Sequence, residues 1–475
     1  MQAHLNLIGW KERRDRRQLS GRRTIFFKKN VAAKRYLKSL VLQPYLSVVA
    51  KYEYWSKDQH EAWQLARLKK LLAQAERHVP FYRTRFKEVG FSSGDFRDIG
   101  DFQKLPFITK SDIQTNGPGA FCDERVPSFM RAQGNTGGSS GIPCPLLSCY
   151  PFTRFWAQAF MIQQWRRLGY KFGDRIAALR GRDLQQKDGI YEFDPVENRL
   201  TLSTYRLNQD NLAQYIELIN DFRIRFLHVY PASLALFLDY LRASYGRLRL
   251  PHLKGVLAGS EMLLPNQKLL CEKVLEVPCY HWYGHSEGVL LGGWCENTDN
   301  FHFFPQYGYL EMICDDGTSI TDHDDVGELV GTGFRNPAMT LIRYRTGDIG
   351  TGMRWQQCRC GREFPTLNQI HGRTTDYLVT RDGCKVPFTA VLYGLHLPIF
   401  EHYAKFQVEQ SEPGRIKVRL ENRNRISHPS DIVASKNAIE RALEGRMLVF
   451  VEEVEAIPAN KNGKHQVIIQ HLPIS

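Results

Sequence analysis

Between residues 175 and 275 the chain alternates short β-rich runs with helical ones, and this alternation constrains the fold most. The β-rich runs lie at 175–179, 226–230 and 255–258, and the helical runs at 212–221, 233–245 and 265–275. Parallel strands need a long crossover, usually a helix, so this order predicts an α/β sheet with helical connections. Upstream, residues 52–90 read as largely helical, with Leu65, Leu68, Leu72 and Ala75 on one face. Residues 152–168 read as a further helix that sends Phe155, Phe160 and Trp165 to the core. Downstream, residues 300–350 are rich in β-formers and turns (YLEMI, GELVGTG, TLIRYRTGD), which predicts a smaller, more antiparallel β subdomain. Past Gly372 come short mixed elements, with a helix near 430–444 and a strand at 447–454. The expected architecture is a large N-terminal α/β domain (51–372) with a β-rich subdomain, then a small C-terminal α+β domain (373–475). The boundary falls near 371–377, and residues 1–50 form a basic extension.

The chain has 475 residues, 43% hydrophobic and 24% charged, which suits a globular protein with a large core. Its net charge of +14 is unevenly spread: residues 1–40 hold twelve Lys or Arg against two acids. The remainder is only mildly basic, so no nucleic-acid partner is expected. The basic arm reads first as a solvated segment. A second reading is peripheral contact with an anionic membrane or a polysaccharide-assembly partner. Residues 31–50 mix apolar and basic side chains at loosely helical spacing, and docking on the body or on a membrane both stay open. No run approaches the ~20 apolar residues of a membrane-spanning helix, and the N-terminus lacks the pattern of a secretory signal. Ten scattered cysteines in a long chain do not suggest a disulfide framework, so a reducing cytoplasm is the expected setting.

The run QGNTGGSSGIP at 133–143 combines four glycines with the hydroxyls of Thr136, Ser139 and Ser140. Gly137, Gly138 and Gly141 allow close backbone approach, and successive N–H groups can cup an anion. Taken alone, such a run is more often a flexible polar loop. Three later motifs change that balance: YGHSEG at 283–288, YRTGD at 344–348 with GRTTD at 372–376, and NGK at 462–464.

In order and spacing these four pieces resemble the adenylate-forming enzymes. HVPFYR, LPFITKSDI and the cysteine pattern resemble more closely the phenylacetate–coenzyme A ligase branch, which includes members associated with polysaccharide biosynthesis. The resemblance runs from about residue 52 to the end. It implies ATP-dependent activation of a carboxylic acid through an acyl-adenylate, then transfer to coenzyme A, with Mg²⁺ as cofactor. It implies that the glycine loop, with Thr136, Gly137, Gly138, Ser139, Ser140 and Gly141, holds the triphosphate. Glu287 is implied as the Mg²⁺ carboxylate, next to Ser286. Tyr283 and Gly284 would lie against adenine, with Gly259, Ser260 and Glu261 in a nearby loop. Asp348 would accept hydrogen bonds from the ribose hydroxyls, and Arg373 would pair with ribose or phosphate. Asp376 matches a hinge about which a mobile C-terminal domain turns. Lys464 matches the lysine that approaches the carboxylate and α-phosphate. Residues 231–233 resemble the acyl-pocket side, and apolar and aromatic residues around 228–236 and 255–262 hint at an aryl or medium apolar acid. Position 144 is Cys where many relatives carry Lys. Alternatives stay open: transfer to an amine or hydroxyl instead of coenzyme A, or a non-catalytic nucleotide-binding partner.

Cys295 and His302 flank one turn, and Cys358 and Cys360 form CRCG. Three thiolates and one imidazole can complete a tetrahedral Zn²⁺ shell, and a structural zinc is the expectation. The bland alternative is four unconnected core residues. The other cysteines, at 122, 144, 149, 271, 279, 314 and 384, have no spacing partners and are expected to be buried.

Overall fold

The computed structural model describes residues 21–135, 144–180, 184, 189–204, 206–314, 316–320, 325–373, 377–383, 385–387, 397–403, 405–422, 426–458 and 466–472. Strands β1 (Arg131–Asn135) and β2 (Pro145–Cys149) are antiparallel, with Asn135 opposite Pro145. They flank the glycine run, whose residues 136–143 lie outside the described ones.

The central sheet takes β3 (Ile176–Leu179), β4 (Tyr191–Asp194), β5 (Arg199–Leu202), β6 (Phe226–Val229), β7 (Gly255–Gly259), β8 (Cys279–Gly284), β9 (Leu291–Trp294) and β10 (Phe301–Phe303). A second sheet takes β11 (Gly308–Ile313), β12 (Val326–Gly333) and β13 (Tyr344–Thr351). The chain returns to the first sheet through β14 (Arg354–Trp355) and β15 (Pro365–Leu367), and to the second through β16 (Gln369–Arg373). The strand order is β14-β15-β10-β9-β8-β7-β6-β3-β5-β4 in the first and β11-β12-β13-β16 in the second. Strands β5, β3, β6, β7 and β8 run parallel. Covered on both faces, they read as nearly unbroken apolar runs rather than alternating ones.

Helix α1 spans Gly21–Tyr52, α2 Lys57–His78, α3 Phe152–Trp165, α4 Leu212–Asp221, α5 Pro231–Tyr245, α6 Pro265–Leu275 and α7 Pro429–Ala442. One face of the central sheet is covered by α4, α5 and α6 through Tyr215, Ile219, Phe237, Leu241, Cys271 and Val274. On the other, Phe160 and Ile162 of α3 pack with Leu42, Leu46 and Val49 of α1. Helix α2 starts at a capping box: Ser56 Oγ accepts from the Gln59 backbone N–H at 3.3 Å, and Gln59 Oε1 from that of Ser56 at 2.9 Å.

One face of the 31–50 stretch docks on the body. Tyr45 stacks edge-on to Trp156 at 4.9 Å, and Arg35 Nη2 donates to Asn198 Oδ1 at 2.8 Å. Lys38 pairs with Glu197. Cys314 departs from the buried expectation, because it begins the turn after β11 and is half-exposed. Cys384 lies outside the described residues.

Near the C-terminus, strands Phe406–Glu412, Arg415–Glu421, Leu448–Val454 and Ile468–Gln470 form a separate four-stranded sheet. Helix α7 closes a core around Val408, Val418, Leu420, Ile439 and Val449. Among the described residues no helix is long and apolar enough to cross a membrane.

Candidate active site

The carboxyl ends of parallel strands are where open α/β sheets bind ligands. Strand β8 ends there with Tyr283 and Gly284, and the turn to β9 carries His285, Ser286 and Glu287. Strand β13 begins with Tyr344 and contains Asp348. The Tyr283 hydroxyl donates to Asp348 Oδ2 at 2.6 Å, joining the two sheets. The Tyr344 hydroxyl donates to Glu287 Oε1 at 3.1 Å, and His285 Nδ1 lies 3.1 Å from Oε2. Burial opposes ionisation of Glu287, but hydrogen bonds from His285 and Tyr344 and the imidazole charge outweigh it. Its pKa is held down at about 2. The carboxylate is therefore anionic, largely buried and fixed in direction.

Cys144 is the first described residue after the glycine run. It is fully buried, and burial raises its thiol pKa, followed by the nearby Glu287 charge. Cys144 therefore shares its surroundings with Glu287. Arg373 lies on β16 directly across from Asp348, so the last linker motif reaches the same sheet edge. Asp376 and Lys464 lie outside the described residues, as do Thr136, Gly137, Gly138, Ser139, Ser140 and Gly141.

The 259–261 stretch sits at the adjacent strand end, with other partners. A Cβ on Gly259 would lie 2.3 Å from Trp282 Cε2, so this position needs glycine to admit the indole. Ser260 has φ +68° and its Oγ accepts from Arg180 Nη2 at 2.6 Å. Glu261 Oε2 accepts from the Ala232 backbone N–H at 3.0 Å, an acid at the start of α5. Ser286 is exposed.

Sequence reasoning had no role for Tyr344 or His285, which hold Glu287, nor for Arg180. The first two sit inside the quoted motifs YRTGD and YGHSEG, so their position was visible and their partner was not.

A second cluster joins Cys295, His302, Cys358 and Cys360, whose ligand atoms all lie within 4.8 Å of one another. Strand β10 pairs with β15 and β15 with β14, which brings the two halves together. Cys295 Sγ and Cys358 Sγ are 3.8 Å apart. His302 is fully buried, and among the described residues neither of its ring nitrogens has a hydrogen-bond partner. Arg362, next to this group, pairs with Glu53 and with Glu296 at 2.8 Å.

The sheet order and the strand-end site give a mixed α/β fold shared with solved ligases. Solved structures with this fold include 2-hydroxyisobutyryl-CoA ligase with 2-HIB-AMP, at TM-score 0.71 and 18% identity over 89% of this chain and 91% of that one. No family model matches the chain. Among curated proteins, phenylacetate-coenzyme A ligase of Thermus thermophilus is 26% identical over 371 residues, 74% of this chain and 82% of the relative. The Escherichia coli phenylacetate-coenzyme A ligase is 28% identical over 338 residues, 69% and 74% of the two chains. The chain is thus similar in sequence to phenylacetate-coenzyme A ligases and shares its fold with a solved acyl-CoA ligase.

Proposed function

We propose that the protein activates a carboxylic acid with ATP and passes the acyl group to the thiol of coenzyme A. A carboxylate oxygen attacks the α-phosphorus, the bond to the bridging oxygen breaks, and pyrophosphate leaves. The thiol sulfur then attacks the acyl carbon, AMP leaves, and the thiol proton goes to solvent or a base. The observation that carries this reading is Glu287, anchored by Tyr344 and His285 close to Cys144.

Mg²⁺ takes one or two carboxylates together with phosphate oxygens, and Glu287 is an ionised carboxylate of that kind. Asp348, which accepts from Tyr283, would also accept from ribose hydroxyls, since a carboxylate can take several hydrogen bonds. Arg373 on the facing strand would add a cation near the ribose or α-phosphate. The glycine run would hold the β- and γ-phosphates through its N–H groups. Lys464 would bring a compact cation to the reacting carboxylate, and Asp376 would serve as the hinge that delivers it. Pyrophosphate exchange across a panel of acids tests this. Exchange abolished in Lys464→Ala is the expected result, and absence of exchange with every acid while ATP still binds would sink the reading.

We also propose that Cys295, His302, Cys358 and Cys360 hold a structural Zn²⁺. A tetrahedral site with Zn–S of about 2.3 Å has S···S edges of about 3.8 Å, the separation of Cys295 and Cys358. A buried imidazole with two unpaired nitrogens is costly unless one of them binds a metal. The ion would tie the β9–β10 turn to the turn after β14. Metal analysis of the purified protein decides it.

Peripheral membrane contact has support from α1. Its inner face packs on the body, while Tyr36, Leu37, Leu40, Val41 and Val48 are exposed, beside Lys34. An exposed apolar stripe with neighbouring lysines suits the surface of an anionic bilayer. Flotation with phosphatidylserine vesicles, lost in the double variant Leu37→Asp/Leu40→Asp, is the expected outcome. Flotation unchanged in that variant would refute it.

A further inference from the structure

The ends of β3, β6 and β7 gather around a cation that the sequence did not announce. Arg180 follows β3, Tyr230 follows β6, Ser260 follows β7, and Trp282 lies in β8 next to Gly259. The Arg180 guanidinium carbon sits 4.7 Å from the Tyr230 ring centre and 5.6 Å from that of Trp282. Nη1 lies 2.7 Å from His228 Nε2, and Nη2 donates to Ser260 Oγ at 2.6 Å. His228 is held far below its ordinary pKa by burial, then by Arg180 and Arg199, so its ring is neutral and Nε2 accepts.

Three features of this group point outward to a ligand. First, an arginine does not surrender its charge in a protein. Among the described residues no carboxylate forms a salt bridge with Arg180, and Glu261, the acid that bears on it electrostatically, spends one oxygen on the start of α5. Second, a guanidinium carries five N–H donors. Its described side-chain partners are His228, Ser260 and Tyr230. Third, the aromatic faces of Tyr230 and Trp282, which would otherwise stack a plain aryl acid, are turned toward the cation.

We infer that Arg180 selects an acid carrying a second oxygen group, an oxyanion or a neutral oxygen acceptor, at the end away from the carboxylate that is activated. This rests on the ligase reading and names the substrate class within it. It departs from the apolar acid expected from residues 228–236 and 255–262. The fork of N–H donors matches a carboxylate bidentately and a hydroxyl or carbonyl through one bond.

The test is pyrophosphate exchange with acids paired by a single added group: phenylacetate against hydroxyphenylacetate and phenylenediacetate, and valerate against glutarate. The wild type should favour the oxygenated member by about 100-fold or more in kcat/KM, mostly through KM, because a site built to hydrogen-bond a group rejects the analogue lacking it. Arg180→Leu should erase that ratio, and Arg180→Lys should restore part of it for the diacids only. A preference carried by the diacids alone identifies the group as an oxyanion, and one shared by the hydroxy acid as an oxygen acceptor. Wild-type preference for the unsubstituted acids overturns the inference. So does an equal loss on both members in Arg180→Leu, the signature of a structural role in holding Ser260. If Arg180→Leu does not fold by thermal unfolding, Arg180→Lys carries the test, and an unaltered ratio there overturns the inference. No exchange with any acid while ATP binds refutes the ligase reading itself, and this inference with it.

Discussion

The strand-end cluster around Glu287 and the cysteine–histidine cluster are built from side chains equally far apart in sequence, yet they differ in one physical respect. Both Glu287 carboxylate oxygens and the Tyr344, Tyr283 and Asp348 side chains are paired within the cluster, through His285 Nδ1 on one side, although His285 Nε2 has no partner among the described residues. His302, in contrast, is buried with both nitrogens unpaired among the described residues, beside thiols gathered at 3.8 Å between Cys295 and Cys358. A site that must stand empty between turnovers needs its polar groups paired within the protein, since an unpaired buried group costs about 1–3 kcal/mol. A site for a resident ion can leave them open, because the ion completes them as the chain folds. The first cluster should therefore govern activity with little effect on stability, and the second the reverse.

The largest expected effect falls on the first cluster. Glu287→Gln keeps the shape and the Tyr344 contact but removes the charge, so pyrophosphate exchange should fall by about 10²–10³-fold. Its midpoint of thermal unfolding should stay within about 2 °C of wild type. A large loss of stability with exchange intact would erase the contrast between the clusters. Cys360→Ser is the mirror case. It should lower the unfolding midpoint by about 5 °C or more and release the metal, while the folded fraction keeps its exchange activity. If a chelator leaves the wild-type midpoint unmoved, the cysteine cluster is only packed core. A smaller effect separates pairing from chemistry within the first cluster. Tyr283→Phe deletes the hydroxyl that orients Asp348, and the KM for ATP should rise about fivefold, the worth of one hydrogen bond, with kcat little changed.

How much of this was legible in the sequence follows from the range of the interactions. Strands β3, β6 and β7 fell within a residue of the expected runs, because parallel strands buried on both faces must be apolar throughout. The Cys295–His302 and Cys358–Cys360 pairs could be joined from spacing because few side chains bind metal and each half carried two of them. Tyr344 as a partner of Glu287 was not legible. That contact depends on β13, of the second sheet, meeting the turn after β8, of the first, which no local pattern encodes. Arg180 was hidden for a different reason: a charged residue after a strand reads as a solvated turn until its surroundings are known. The N-terminal stretch was ambiguous because α1 is apolar on both its docked and its exposed sides, so periodicity could not say which one faces the body.

The smallest expected effect concerns an imidazole between the two clusters. His281 lies on β8 and packs edge-on against Trp294 and Phe301, which neighbour Cys295 and His302. Unlike His302, it has a partner, with Nε2 3.0 Å from the Glu261 carbonyl oxygen and therefore donating to it. Burial lowers its pKa from 6.5 to about 4, against a smaller opposing push from that carbonyl. Because the folded value is the lower one, the unfolded chain takes up a proton first as the pH falls. The His281 contribution to stability is thus complete above pH 6.5 and is lost as pH falls from there toward about 4. His281→Gln keeps a donor for Glu261 and removes the titration. Between pH 7 and 4.5 its unfolding midpoint should fall less than that of wild type, by on the order of a few °C. Parallel curves for the two proteins would mean that His281 is protonated as readily folded as unfolded, and that having a partner does not distinguish it from the unpaired His302 in the way the two clusters imply.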